Sequence, residues 1–449
     1  MAHPQEPAGK GALPEPPRRH RWLVLFLISL PMFGNYYAYD STGPIFDLLK
    51  SQAQFTDEHL GLLYSVYSIA AILVLLAGGY VVDRYGTKRS ILLFGAVCLV
   101  AAVVTASSPA LGVMLTGRFL LGLGAEPLIV AVTTALARWF RGKELGFAFG
   151  INLMIARLGS AAADWSPAWA ARSFANWQDP LWIAAMITSL CVAGGVLNWI
   201  LENRSAGRYR LAGQEATDKL ELRGLYRFSP SYWYIVGLCV VFYSTIFPFR
   251  AFAIKYFIEA HGTSREVGGL LNSFLPLAAM VATPLFGLLV DRVGRRSLFM
   301  ALGSVVILPL FLIVSYAPAG GGVGLWLPFF GDFVLPVTLL VVMSLLGVAF
   351  SLIPAIMWPS VAYIVEQRRL GSAYSLMTLC QQVGMAAVPW GIGKLNDAAG
   401  AAPGNPAGYV PGMWLFTILG ALGLVFSYLL WKAERGPGGH GLETIRAGV

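Results

Sequence analysis

Residues 79–89 read Gly79-x-x-x-Asp83-Arg84-x-Gly86-x-Lys88-Arg89, and 208 positions later residues 287–296 read Gly287-x-x-x-Asp291-Arg292-x-Gly294-Arg295-Arg296. A loop that recurs whole in the second half of a chain marks a duplicated architecture, because chance reproduces neither the residue types nor their spacing. The leading glycine lets neighbouring helices approach closely, and the second permits a tight turn. The aspartate is placed to meet the exposed N–H groups at the start of a helix in the other half, where the peptide dipoles favour an anion. The candidate helix starts are Gly371-Ser372 for Asp83 and Gly142 to Gly146 for Asp291. Together with Arg84, Gly86, Arg292 and Gly294, the two aspartates would form a latch that holds one side shut and breaks as the halves rock. Lys88, Arg89, Arg295 and Arg296 read as topology markers.

On both sides of each copy lie apolar runs of the roughly 20-residue length that a membrane helix needs. They cover approximately 22–45, 59–82, 90–106, 110–137, 145–164 and 181–200, then 232–256, 267–290, 298–316, 325–357, 371–391 and 412–431. That predicts an all-α polytopic membrane protein with twelve transmembrane helices in two six-helix, pseudo-symmetric bundles. The expected organisation is a disordered arm over 1–20, a first bundle over 21–200, a linker over 201–230, a second bundle over 231–432 and a tail over 433–449. Composition agrees. Of 449 residues 57% are hydrophobic and only 12% charged, with a mean hydropathy of +0.65, whereas a soluble domain is nearer a quarter charged.

A formal charge of +9 would suggest nucleic acid in a soluble protein. Here it is a topology signal. With the amino terminus in the cytoplasm, 24 of the 32 basic residues fall in cytoplasmic segments. Only Lys50, Arg172, Arg265 and Lys394 fall outside, while Arg118, Arg157, Arg250 and Lys255 lie in or at the ends of spans. No nucleic acid is expected. Both termini and the linker are expected on the cytoplasmic side.

The paired loops resemble the signature of the major facilitator superfamily, whose six-helix halves are parallel repeats enclosing a substrate site near the midplane. A second pairing supports the duplication: Leu145-Gly146-x-Ala148 opens the fifth span and Leu370-Gly371-x-Ala373 the eleventh, 225 positions on.

A charge near the bilayer centre costs about 2.5–3.5 kcal/mol on insertion scales, so an ion inside a span is a functional candidate. Glu126 lies well inside the fourth span and Arg157 in the middle of the fifth, joined by a short loop. Two arrangements are open: a permanent ion pair that neutralises the bundle, or a clamp for a zwitterion. In the clamp Glu126 takes an ammonium and Arg157 holds a carboxylate through the two parallel bonds of its planar fork. The ends of an extended dipeptide lie roughly 5–7 Å apart at about 3.3–3.6 Å per residue, a distance two adjacent helices can span.

The runs Gly117 to Glu126, Arg141-Gly-Lys-Glu144 and Met154-Ile-Ala-Arg157-Leu-Gly-Ser160 resemble the lysosomal dipeptide uniporter branch of that superfamily. Gly34-Asn-Tyr36-Tyr37-Ala-Tyr39-Asp40 and Leu370-Gly-Ser-Ala-Tyr374 resemble it too. The resemblance implies that Glu126 contacts the peptide amine and Arg157 its carboxylate. Two features depart from that branch: Pro127 follows the glutamate where a small polar residue is usual, and the amino-terminal arm carries no dileucine lysosomal signal. The Gly/Ala-rich composition points instead to a bacterial inner (cell) membrane.

Asn152 is a further candidate on the fifth span. Tyr36, Tyr37 and Tyr39 either wall the cavity or belong to the interfacial belt, and Asp40 either lines the cavity or caps the outer end of the first span. Trp358 and Tyr374 have the same two readings in the second half. Arg250 and Lys255 sit too near the outer end for midplane ligands and suggest an outer gate.

No phosphate loop, His-Glu-x-x-His motif or nucleophile elbow occurs, and Cys98, Cys191, Cys239 and Cys380 lie inside apolar runs without zinc spacing. No enzyme, metal or cofactor is expected. The sequence reads as a monomeric carrier of dipeptides in the lipid bilayer, working by alternating access as a uniporter. The alternative is a proton-coupled transporter or exporter of organic anions or drug-like molecules.

Overall fold

The computed structural model describes residues 14–140, 144–205, 208–209, 228–327, 331–366 and 369–445. Most of the expected linker and arm therefore lies outside the described residues. Among the described residues twelve long helices carry the fold. The first six are α1 (Arg18–Asp40), α2 (Asp57–Tyr85), α3 (Thr87–Ser107), α4 (Leu111–Phe140), α5 (Leu145–Asp164) and α6 (Gln178–Ser205). The second six are α7 (Pro230–His261), α8 (Arg265–Val293), α9 (Arg296–Tyr316), α10 (Val337–Ile364), α11 (Leu370–Ala398) and α12 (Val410–Glu434).

Among the described residues eleven segments are long and apolar enough to cross a membrane. The remaining long helix, α11, has 29 residues but carries Gln381, Gln382, Lys394, Asn396 and Asp397, which lower its hydropathy. Gln382, Lys394, Asn396 and Asp397 face the other half of the molecule, whereas Gln381 accepts from Cys239 of its own half. Large apolar side chains such as Phe147, Met186, Leu285 and Leu288 stand on the outside, as on a surface solvated by hydrocarbon.

Two expectations are corrected. The first span stops at Asp40, five residues early, because Gly43-Pro44 turns the chain into a 3-10 turn and the two-turn helix Phe46–Ala53. The run read as a span over 325–357 begins instead with an antiparallel hairpin of β1 (Gly322–Leu327) and β2 (Gly331–Pro336), pairing Val323 with Leu335 and Leu325 with Phe333. Glycine costs a helix about 1 kcal/mol per residue, and Gly322, Gly324 and Gly331 together with Pro336 postpone α10 to Val337.

Helices α1–α6 pack on one another, as do α7–α12; between the groups α2 packs on α11 and α5 on α8. If α2 corresponds to α8 and α5 to α11, the first contact maps onto the second, as a parallel repeat requires. Both copies of the repeated loop turn alike: Gly86 (φ +79°) ends α2 and Gly294 (φ +75°) ends α8. Residues 436–444 do not extend as a free tail. They fold back, Glu434 accepting from Ser231 and the His440 N–H while Glu443 accepts from Ser297 at the start of α9.

Candidate functional site

Glu126 lies halfway along α4 and looks across the interface between the groups. Its Oε1 accepts from Tyr67 of α2 at 3.2 Å and from Gln382 of α11 at 3.1 Å. Among the described residues nothing donates to its other oxygen. Arg157, one helix on, does not pair with it: the guanidinium lies 5.1 Å above the ring of Phe350 on α10 and meets no carboxylate among the described residues. Tyr36 of α1 is within electrostatic reach of both charges. The permanent Glu126–Arg157 ion pair is therefore not what the structure forms.

Phe350, which Arg157 overlies, belongs to an aromatic cluster of the second group. Tyr243 and Phe247 of α7 stack at 5.5 Å, and both contact Phe350. Trp358 donates its indole N–H to Tyr243 Oη at 3.1 Å, while Tyr374 donates its hydroxyl to the Trp358 carbonyl at 3.1 Å. These three hydrogen-bonded rings are half-buried and pack against the core of the second group.

Toward the face opposite the repeated loops, the two groups are bolted together by buried ions. Arg250 of α7 donates to Asp164 of α5 at 2.8 Å and lies 3.4 Å from Asp40 of α1. Asn272 of α8 donates to the other Asp164 oxygen. Lys255 of α7, fully buried, meets Asp57 of α2 at 3.0 Å, Glu259 at 3.1 Å and Tyr409 at 2.5 Å. Lys50 joins from the surface side at 3.1 Å from Asp57. Asp397 of α11 accepts from the backbone N–H groups of Asp57 and Glu58, capping the start of α2 from the other half. This is the carboxylate-on-helix-terminus contact read for the repeated loops, built on the opposite face. The sequence offered no direct signal for Asp57, Asp164 or Asp397, since each sits at a helix end and reads as a boundary.

The other candidates are sorted by this geometry. Tyr39 packs edge-on against Tyr67, the residue that holds Glu126. Asp40 belongs to the ion cluster with Arg250. Asn152 is buried against α1, where it accepts from Ser29 at 3.0 Å, and Tyr37 is buried with Ala163 and Ala184; the structure does not bring either to Glu126 and Arg157. Arg118 is structural, donating to the carbonyls of Leu63, Ala38 and Tyr39 beneath the Tyr64 ring.

At the repeated loops, Asp83 stands in the last turn of α2, at the end where antiparallel α11 begins. Arg84 is exposed and bonds Tyr80. Asp291 pairs with Arg296 of its own loop at 3.0 Å, and Arg292 is exposed. Glu144, just before α5, pairs instead with Arg18 and Arg21; Gly142, part of the expected acceptor for Asp291, lies outside the described residues.

Two six-helix groups of apolar helices, with Glu126 hydrogen-bonded across the interface between them, define a membrane transporter rather than an enzyme. The chain belongs to the Major Facilitator Superfamily, whose model matches residues 28–389 and 249–446. It is 28% identical over 451 residues to the lysosomal dipeptide transporter MFSD1 of Homo sapiens, covering 97% of this chain and 91% of that one. It is 23% identical over 312 residues to a probable sulfoacetate transporter, SauU, of Cupriavidus necator, covering 65% and 70%. The fold matches the crystal structure of a bacterial homologue of the human lysosomal transporter Spinster, in an inward-facing and occupied conformation. That match has a TM-score of 0.71 and 14% identity, over 94% of this chain and 98% of that one.

Proposed function

We propose that the protein carries dipeptides and similar small zwitterions across a cell membrane by alternating access, as a monomeric uniporter with both termini and the linker in the cytoplasm. One observation carries the reading. Glu126 and Arg157 stand on consecutive helices at the centre of the molecule, oppositely charged, yet they do not neutralise each other. A carboxylate and a guanidinium held apart offer an ammonium and a carboxylate each its own partner, and the planar fork favours a carboxylate geometrically. The aromatic wall of Tyr243, Trp358 and Tyr374 would accept varied peptide side chains without selecting one. The named activity of the 28%-identical relative supports the same substrate class.

The placement of the bolts supports alternating access. The ion clusters close one face, and Asp83 and Asp291 sit at the other, so opening one face as the other closes exposes the same central pair to each side in turn. Arg157 alone would suit an organic anion, the class named for the sulfoacetate relative. Counterflow in liposomes separates the two: labelled dipeptide exchanging without a proton gradient supports the uniporter, and exchange of organic anions alone contradicts it.

A further inference from the structure

Gln382 of α11 is buried, only 3% exposed, and its amide nitrogen donates to Glu126 Oε1 at 3.1 Å across the interface. Its amide oxygen has no hydrogen-bond partner. Buried acceptors left without a donor are rare and ask for a reason. The orientation of the amide is not arbitrary: turning it over would set its oxygen against the carboxylate oxygen of Glu126, so the nitrogen must face Glu126 and the oxygen must face away. Oxygen and nitrogen share one carbon. The orphan acceptor is therefore within one group's width of the carboxylate.

We infer that Gln382 is an amine-binding residue supplied by the second half, its Oε1 accepting a hydrogen bond from the same substrate ammonium that meets Glu126. The inference rests on the dipeptide reading and extends it to a residue that carries no charge. A primary ammonium has three donors on one nitrogen, so it can serve the Glu126 carboxylate and the Gln382 carbonyl together. An amine with a single remaining donor can serve only one. The site thereby discriminates primary from tertiary amines at constant charge. It also ties α4 to α11 through the ligand, which makes amine binding an interaction between the halves.

The test uses the full-length protein and three probes: alanyl-alanine and its N-methyl and N,N-dimethyl derivatives, each keeping the positive charge. In wild type, the first methylation leaves two donors and costs little, and the second leaves one and weakens binding by about tenfold or more, the scale of a lost hydrogen bond to a charged group. In Gln382→Met, alanyl-alanine loses about the same factor, while the dimethyl peptide binds within twofold of its wild-type affinity. The added bulk of the methyl groups is common to both proteins and cancels in the comparison. If Gln382→Met does not accumulate, Gln382→Asn draws the amide back by one methylene and enters the same comparison. Equal weakening of all three probes would mean that Gln382 only positions Glu126, and no weakening would mean no role; either overturns the inference and leaves the dipeptide reading standing. Wild type that binds no dipeptide would overturn both.

Discussion

Arg250 and Asp164 come from opposite halves of the chain and meet at 2.8 Å, neither side chain more than 4% exposed. Asp40 shares the same guanidinium. Both carboxylates belong to the first half and the arginine to the second, so separating the halves strips a buried acid pair of its shared cation. Removing one partner of a buried pair costs about 3–5 kcal/mol. Asp164→Asn is therefore expected to favour opening of this face. Spin labels at Arg172 and Gly404 should report longer distances in the variant, and an unchanged distribution would mean that the pair does not hold the face shut.

Closure of that face also needs a missing side chain. A Cβ on Gly269 of α8 would sit 2.1 Å from the carbonyl oxygen of Asp164 on α5, and backbone cannot yield as a flexible side chain would. Gly269→Ala should keep the helices apart while leaving every charge in place. The same labels should move outward, and transport should slow more than binding weakens. A variant that closed normally would show that α5 and α8 have slack at this crossing.

Lys255 tests stability rather than geometry. Its ammonium is enclosed by Asp57, Glu259 and Tyr409. Lys255→Met leaves two carboxylates with the part-exposed Lys50 as the one remaining cation among the described residues and should lower the thermal midpoint by several degrees. Adding Asp57→Asn removes one of the stranded charges, so the double variant should lose less than the sum of the single losses. Strict additivity would contradict a shared cluster.

Asp83 remains the proposed latch of the opposite face. Asp83→Asn should shift the balance between states by about 0.3–2 kcal/mol, the scale of a carboxylate at a helix terminus. Asp291 is engaged by Arg296, so Asp291→Asn should shift it less. Distance measurements across that face compare the two, and a larger effect at Asp291 would contradict the assignment.

Much of this was legible in the sequence because bilayer-spanning helices leave few options. The apolar run over 145–164 predicts the fifth span, and the helix is Leu145–Asp164. The hairpin before α10 was not legible, since a glycine-rich apolar strand pair has the hydropathy of a span. Asn152 lies five residues before Arg157, about 140° around the helix, which turns it toward Ser29 on α1. The ion clusters were hidden for another reason. Asp40 and Arg250 are 210 residues apart, Asp57 and Lys255 198, and no local pattern links residues at that separation. Gln382 carries no charge, so nothing marked it until Glu126 was seen to bond it.

The clamp itself is tested most directly by pairing two variants with two blocked ligands. Glu126→Gln keeps shape but loses the charge that meets an ammonium, and Arg157→Lys keeps a charge but loses the fork. Truncating one side of a desolvated charge pair costs about 2–5 kcal/mol, so each should weaken a free dipeptide tens-fold or more in a thermal-shift binding assay. An amine-blocked dipeptide should bind wild type poorly and lose little more in Glu126→Gln, and a carboxyl-amidated one should be as indifferent to Arg157→Lys. Equal losses for every ligand in both variants, with lowered stability of the unliganded protein, would contradict the clamp.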